Sequence, residues 1–209
     1  MRLAGSESWR VGVGGGQTAH ALLYVRDACQ LAPSGPELPP RLASGVELID
    51  LGFSASELID ASEGWIEWWH RYVQEEGLNQ LGERAQMDQL FSLRDFDHLA
   101  SCPPLQEAAR RSCDLALGWW RENRQNSRRT LHDSSHSQSM RTIAEAVMDD
   151  HQVGGERVRA GMIVLSVDGV WSNIPQPGVL LCSEAVFADS YLYGAELRRV
   201  LESGLIRGA

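Results

Sequence analysis

Gly64-Trp65-Ile66-Glu67-Trp68-Trp69-His70-Arg71-Tyr72 carries three of the chain's seven tryptophans. At about 100° per residue, Leu58, Ile59, Ala61, Trp65, Ile66, Trp68, Trp69, Tyr72 and Val73 fill roughly half of a helical wheel. Asp60, Glu63, Glu67, Arg71 and Gln74 occupy most of the rest. An apolar arc that wide belongs to a helix buried against two or more neighbours. Ser54 and Glu57 have the spacing of a capping box, and Gly77 is a stop signal. The predicted helix therefore begins at Ser54 and ends near Glu76, with the tryptophans in the core.

A second aromatic pair, Trp119-Trp120, ends another predicted helix. Ser101 caps it, Pro103 and Pro104 sit in its first turn, and it runs to Asn123. Its apolar arc holds Leu105, Ala108, Ala109, Ser112, Cys113, Leu115, Ala116, Trp119 and Trp120. The centre of that arc is small, so this face is expected to receive the first tryptophan helix.

Working outward, residues 1–16 end in Val11-Gly12-Val13-Gly14-Gly15-Gly16 and are expected to be a flexible tail, leaving 17–209 as one globular domain. Thr18 opens a helix to about Gln30. Residues 32–45 hold half of the eight prolines and read as an extended linker. Val46-Glu47-Leu48-Ile49-Asp50 alternates weakly, as a short strand would. A looser helical pattern covers 78–100. Residues 125–139 are polar and serine-rich and read as a mobile loop, followed by a short amphipathic helix at 140–148.

The period then changes. Residues 162–167 are an apolar run, and Asp168-Gly169 between Val167 and Val170 signals a two-residue hairpin. The return strand is expected at 170–174, and a third strand at Val179-Leu180-Leu181-Cys182-Ser183. Asp189 caps a terminal helix bearing Tyr193, Leu197, Val200 and Leu201, stopped by Gly204. The fold class is α+β: mostly helical, with a small C-terminal antiparallel β-meander and a terminal helix.

Bulk properties narrow the function. Hydrophobic residues make up 43% and charged residues 22%, as in an ordinary globular protein. A net charge of −9 argues against binding to duplex nucleic acid, which favours a basic surface, and against docking on an anionic membrane. No apolar run approaches the roughly 18–20 residues that span a bilayer, and residues 1–16 lack the apolar core of a signal peptide. The four cysteines are scattered and form no Cys-x-x-Cys, as expected of free thiols in the cytoplasm. All 19 basic residues are arginine, as in a GC-rich bacterial genome.

The candidate chemistry is diffuse. Gly12-Val13-Gly14-Gly15-Gly16-Gln17 has part of the glycine spacing of a dinucleotide-binding turn, but Gln17 stands where a glycine belongs. His132 and His136 are four apart, which suits one metal if they lie on a helix, with His151 as a third ligand. Glu67 and His70 have the Glu-x-x-His spacing of carboxylate metal sites, and Asp95-Phe96-Asp97-His98 echoes it. On the wheel, however, His70 falls at the border of the apolar arc, so no metal or other cofactor is expected. Arg121, Arg124, Arg128 and Arg129 form a basic patch after Trp119-Trp120, suited to an acidic partner. Cys102 and His98 are close enough in sequence to consider as a pair. Trp171 is the tryptophan expected at the surface, where an aromatic anchors partners.

No triad, metal set or phosphate loop emerges. The expectation is a non-enzymatic interaction or accessory protein whose partner is another copy or a different protein. The alternative is a small enzyme or ligand-binding protein. Its pocket would lie between the tryptophan helices and the hairpin, with polar groups from His70, His98 and Asp95.

Overall fold

The computed structural model describes residues 9–14, 16–81, 96–131 and 134–205, with side chains 124–131 and 134–135 outside that description. The described helices are α1 (Gln17–Ala28), α2 (Ala55–Leu81), α3 (Pro103–Leu131), α4 (Ser134–His151), α5 (Glu184–Ala188) and α6 (Ser190–Ser203). The strands are β1 (Arg10–Gly14), β2 (Arg159–Leu165), β3 (Ser172–Gln176) and β4 (Val179–Ser183). The fold is thus mixed helix and strand, dominated by helix.

The tryptophan helix forms as its periodicity predicts. The Ser54 amide donates to Glu57 Oε2 at 2.8 Å and the Glu57 amide to Ser54 Oγ at 3.3 Å, the reciprocal pair of a capping box. Trp65, Trp68, Trp69 and Tyr72 are buried. The Trp65 and Trp69 rings stack with centroids 5.6 Å apart, and the Trp65 indole donates to the Leu22 carbonyl at 2.8 Å. Gly77 does not end the helix, which continues to Leu81. Its missing side chain leaves room for the Val179 side chain, 2.9 Å from where a Cβ would stand. The small face of α3 packs more extensively on α1 than on α2. The Cys29 thiol, just past α1, points to the Ala108 carbonyl, and Tyr24 lies against Trp119.

The sheet departs from the expected meander. Its order is β1-β2-β4-β3. β1 and β4 both run parallel to β2, and only β3 with β4 is antiparallel. The Asp168-Gly169 signal does not close a hairpin, because β4 occupies the edge of β2 that the return strand would have taken. β3 forms one place further out and turns into β4 through Pro177-Gly178, with Gly178 at φ 79°, a conformation that favours glycine. The cause is visible in β2. Its run Ala160 to Leu165 is buried throughout, as parallel strands covered on both faces are. Ile163 and Leu165 join the core under α1, α2 and α3, while Ala160, Met162 and Val164 join a second core under α4, α5 and α6.

Three other expectations change. Residues 10–14, assigned to a flexible tail, are strand β1, with Val11 and Val13 facing the second core and Gly12 and Gly14 facing α2. Most of the stretch 125–139, expected as a loop, is helical, in the end of α3 and the start of α4. Residues 46–50 form no strand; instead the Ile49 amide donates to the Ala28 carbonyl at 2.8 Å. The helical pattern at 78–100 lies largely outside the described residues.

The proline-rich stretch 32–45 is extended but packed, a strap across the core. Buried Arg26 donates to the carbonyls of Pro39 at 2.6 Å and Pro40 at 2.7 Å and pairs with Asp27 at 2.7 Å. Asp27 in turn accepts the Leu42 amide at 2.8 Å. The guanidinium carbon lies 5.3 Å from the Trp65 ring centre, a cation–π distance. Every charge in this cluster is therefore hydrogen-bonded, as burial requires.

Candidate functional site

Two places gather polar side chains. The first is a groove of about 550 Å³, open to solvent, between α2 and the β3–β4 hairpin. The helix contributes Trp69, His70, Val73 and Gln74, and the sheet contributes Asn173, Ile174, Pro175, Gln176 and Leu181. The strap adds Glu37, whose carbonyl accepts from the Asn173 carboxamide at 3.2 Å. Its titratable side chains are Glu37 and His70, and its lining holds no serine, threonine, cysteine or arginine. Three carboxamides, Gln74, Asn173 and Gln176, alternate with apolar surface. The Gln176 carboxamide nitrogen is buried and has no hydrogen-bond partner among the described residues. An unmet buried donor costs about 1–3 kcal/mol; this one is turned away from the groove against Gly77, 2.3 Å from where a Cβ would stand.

The second place lies at the carboxyl ends of the parallel strands. His20, in the first turns of α1, is buried between elements far apart in sequence. Its Nδ1 lies 3.0 Å from the Gly16 carbonyl, and its Nε2 accepts the Ser166 amide at 3.1 Å. The Ser166 hydroxyl lies 3.3 Å from Nε2 and donates to Glu184 Oε1 at 2.6 Å. Trp120 stacks on the imidazole with ring centres 4.5 Å apart. Burial lowers the His20 pKa, against the opposing effects of the Gly16 hydrogen bond and the Glu184 charge.

Serine, histidine and glutamate together suggest a nucleophile set, but the roles are not those of one. In a catalytic triad the imidazole lone pair receives the serine proton. Here a backbone amide holds that lone pair, and the hydroxyl hydrogen is directed at the carboxylate. The cysteines are no better placed. Burial raises the Cys29 thiol to about 11 and the Cys182 thiol to about 12, far from the thiolate that nucleophilic attack needs.

The residues singled out from the sequence disperse. His70 is exposed on the groove wall. Trp171 is half-buried, not freely exposed: it packs on the α1–α3 core, and its backbone pairs with Ser183. Arg121 is exposed on α3, whereas the side chains of Arg124, Arg128 and Arg129 lie outside the described residues, as do His132 and Asp95. His136 is buried flat against Phe187, 4.4 Å between ring centres, with Nε2 2.7 Å from the Phe187 carbonyl. His151 pairs with Glu202 at 3.6 Å. Fifteen residues of one helix separate His136 from His151, about 22 Å along its axis, so the two cannot share a metal. Glu67 and His70 are both exposed and do not project into a helical core. Among the described residues no group of three or more His, Cys, Asp or Glu could hold a metal ion. The Cys102 thiol points to the Asp60 carbonyl at 3.5 Å, and the His98 ring lies against Trp68 and Phe96.

The glycine run does precede a helix, as a dinucleotide-binding turn would. The space over it is taken by α2: a Cβ on Gly12 would stand 2.6 Å from the Gln80 carbonyl oxygen. His20, Ser166 and Glu184 are residues that periodicity passes over. Their signal in the sequence is a lone polar residue inside an apolar run, as in Ala19-His20-Ala21-Leu22 and Leu165-Ser166-Val167.

Among the described residues no helix is long and apolar enough to cross a membrane. No protein-family model matches the chain, and the comparisons with curated proteins and with solved structures give no match.

Proposed function

We propose that this protein acts by binding rather than by catalysis, and that the groove between α2 and the β3–β4 hairpin holds an extended, neutral-to-basic segment of a protein partner. The observation that carries this is the lining. Carboxamides offer both a donor and an acceptor, which is what a peptide backbone requires, and Val73, Ile174, Pro175 and Leu181 offer apolar surface to its side chains. Glu37 in the groove and the net charge of −9 disfavour an acidic occupant. Among the described residues, the large exposed apolar side chains Leu48, Ile59, Leu115, Val170 and Tyr191 sit on five different segments, so no one described element offers a rival docking face.

Peptides selected from a random display library on the intact protein provide the test, with affinities read by calorimetry. Gln176→Leu should weaken a selected peptide by about tenfold, near 1.4 kcal/mol, while leaving the unfolding midpoint unchanged or raised. Ile174→Arg should abolish binding. Selected peptides that bind both variants as tightly as the parent would rule the proposal out. A small organic ligand is the second possibility, favoured because about 550 Å³ falls within the range of small-molecule sites. A library of small amides and heterocycles raising the melting temperature, with no peptide selected, would decide for it.

A further inference from the structure

The hydrogen bonds of His20 define its protonation state. The Gly16 carbonyl can only accept, so Nδ1 carries a hydrogen. The Ser166 amide can only donate, so Nε2 presents its lone pair. The ring is therefore neutral, in a single tautomer, and it ties the first turn of α1 to the exit of β2. We propose that His20 is a proton-operated latch: neutral, it holds the Ser166 amide; protonated, it exchanges that amide for the Ser166 hydroxyl and releases the loop from β2 to β3.

The exchange needs one proton from solvent and breaks no covalent bond. A hydrogen on Nε2 would point at the Ser166 N–H, two donors facing each other across 3.1 Å. The Ser166 hydroxyl oxygen, 3.3 Å away, can accept it while its own hydrogen stays on Glu184 Oε1. Imidazolium, hydroxyl and carboxylate then form a charge-assisted chain. Among the described residues, the neighbouring elements bring aromatic rings, a phenol and a carboxylate to this chain. α3 contributes the neutral Trp119 and Trp120 rings. From α2 the Tyr72 hydroxyl approaches Gly16, and burial holds that phenol protonated. Glu184, at the start of α5, is the charge acting on the ring.

Ser166 is also where the strap joins the sheet. Its carbonyl accepts the Ala43 amide at 3.0 Å, and two residues on the Asp168 amide donates to the Arg41 carbonyl at 2.8 Å. The Ser166 side chain stays anchored to His20 and Glu184; what is released is its backbone amide, and with it the backbone register that holds the loop to the strap. The sign follows from linkage. Burial places the folded-state pKa of His20 below its ordinary value of 6.5. The latch is closed at neutral pH and above. As pH falls below 6.5 the unfolded chain binds more protons than the folded one, so the stability due to this site is lost as pH drops through the folded pKa. This proposal does not depend on what the groove binds.

Amide hydrogen exchange of the whole chain, at about pH 7.5 and about pH 5 and corrected for intrinsic rates, tests it. Residues 166–171 should lose protection by about tenfold at the lower pH while residues 161–164 of β2 keep theirs. Glu184→Gln should move the midpoint to lower pH, because it removes the charge that favours the imidazolium. His20→Gln, should it fold, should abolish the dependence. Unchanged loop protection at both pH values would overturn the proposal. So would an equal loss in β2, which would mean general unfolding, or a midpoint indifferent to Glu184→Gln.

Discussion

The two faces of the sheet are packed by opposite means. Toward α2 the strands present Gly12, Gly14 and Gly161, and helix backbone comes down on strand backbone. A Cβ on Gly161 would stand 2.7 Å from the Gln80 side chain. Toward α4, α5 and α6 the same strands present Val11, Val13, Ala160, Met162, Val164, Leu180 and Cys182, and side chain meets side chain. The difference arises from the period of two in a strand. Val11-Gly12-Val13-Gly14 is an alternation in which every second side chain is absent, so that a helix can fit. The bulk missing from the strands is supplied by α2, whose tryptophans lie further along the same helix over Ile163, Leu165 and Leu181.

The largest effect should come from emptying each core. Trp65→Ala and Phe187→Ala should each cost about 3–5 kcal/mol in urea unfolding. The tryptophan change should be the greater, because it also removes the indole hydrogen bond to the Leu22 carbonyl. A costlier Phe187→Ala would mean that the second core, not the tryptophan core, dominates stability.

The neighbours Ala160 and Gly161 probe the comparison directly. Gly161→Ala should cost about 1–3 kcal/mol through overpacking against α2. Ala160→Gly should cost about 1 kcal/mol through the lost methyl and the added chain entropy. The double swap preserves composition and should be worse than either. A neutral Gly161→Ala would show that α2 can lift from the sheet freely.

A smaller loss, about 1 kcal/mol, is expected for Ser54→Ala, which removes the cap of α2 at its exposed end. Smallest of all, His70→Ala should change stability by less than about 0.5 kcal/mol, as substitutions at exposed positions do. A selected groove peptide should nonetheless bind it more weakly. A large stability loss at His70 would make it part of the fold instead of the groove wall.

The sequence made the helices legible because their information is local. Capping by Ser54 and Glu57, the wheel around Trp65, and the Asp189 cap, which accepts the Tyr191 amide at 2.9 Å and the Leu192 amide at 3.0 Å, all act within a turn or two. β4 was equally legible from Val179 to Ser183. His70 at the border of the apolar arc also follows from the pattern, but the groove it borders is closed by the β3–β4 hairpin and not by the one expected at Asp168-Gly169. Its carboxamides do not, since Gln74, Asn173 and Gln176 read as ordinary surface residues until β3 is placed beside α2.

What the sequence determined by itself was the core faces of α1, α2, α3 and α6 and the run of β4, though not the helical character of most of 125–139. These depend on contacts a few residues apart. Strand partners and the surroundings of His20 were decided only by the tertiary structure. Asp168-Gly169 is a sound hairpin signal overruled because β1 and β4 take both edges of β2. The glycines of β1 look flexible until Gln80 is set against them. His20 acquires its tautomer and the carboxylate that acts on it from Ser166 and Glu184, residues 146 and 164 positions away, whose approach only the packed sheet brings about.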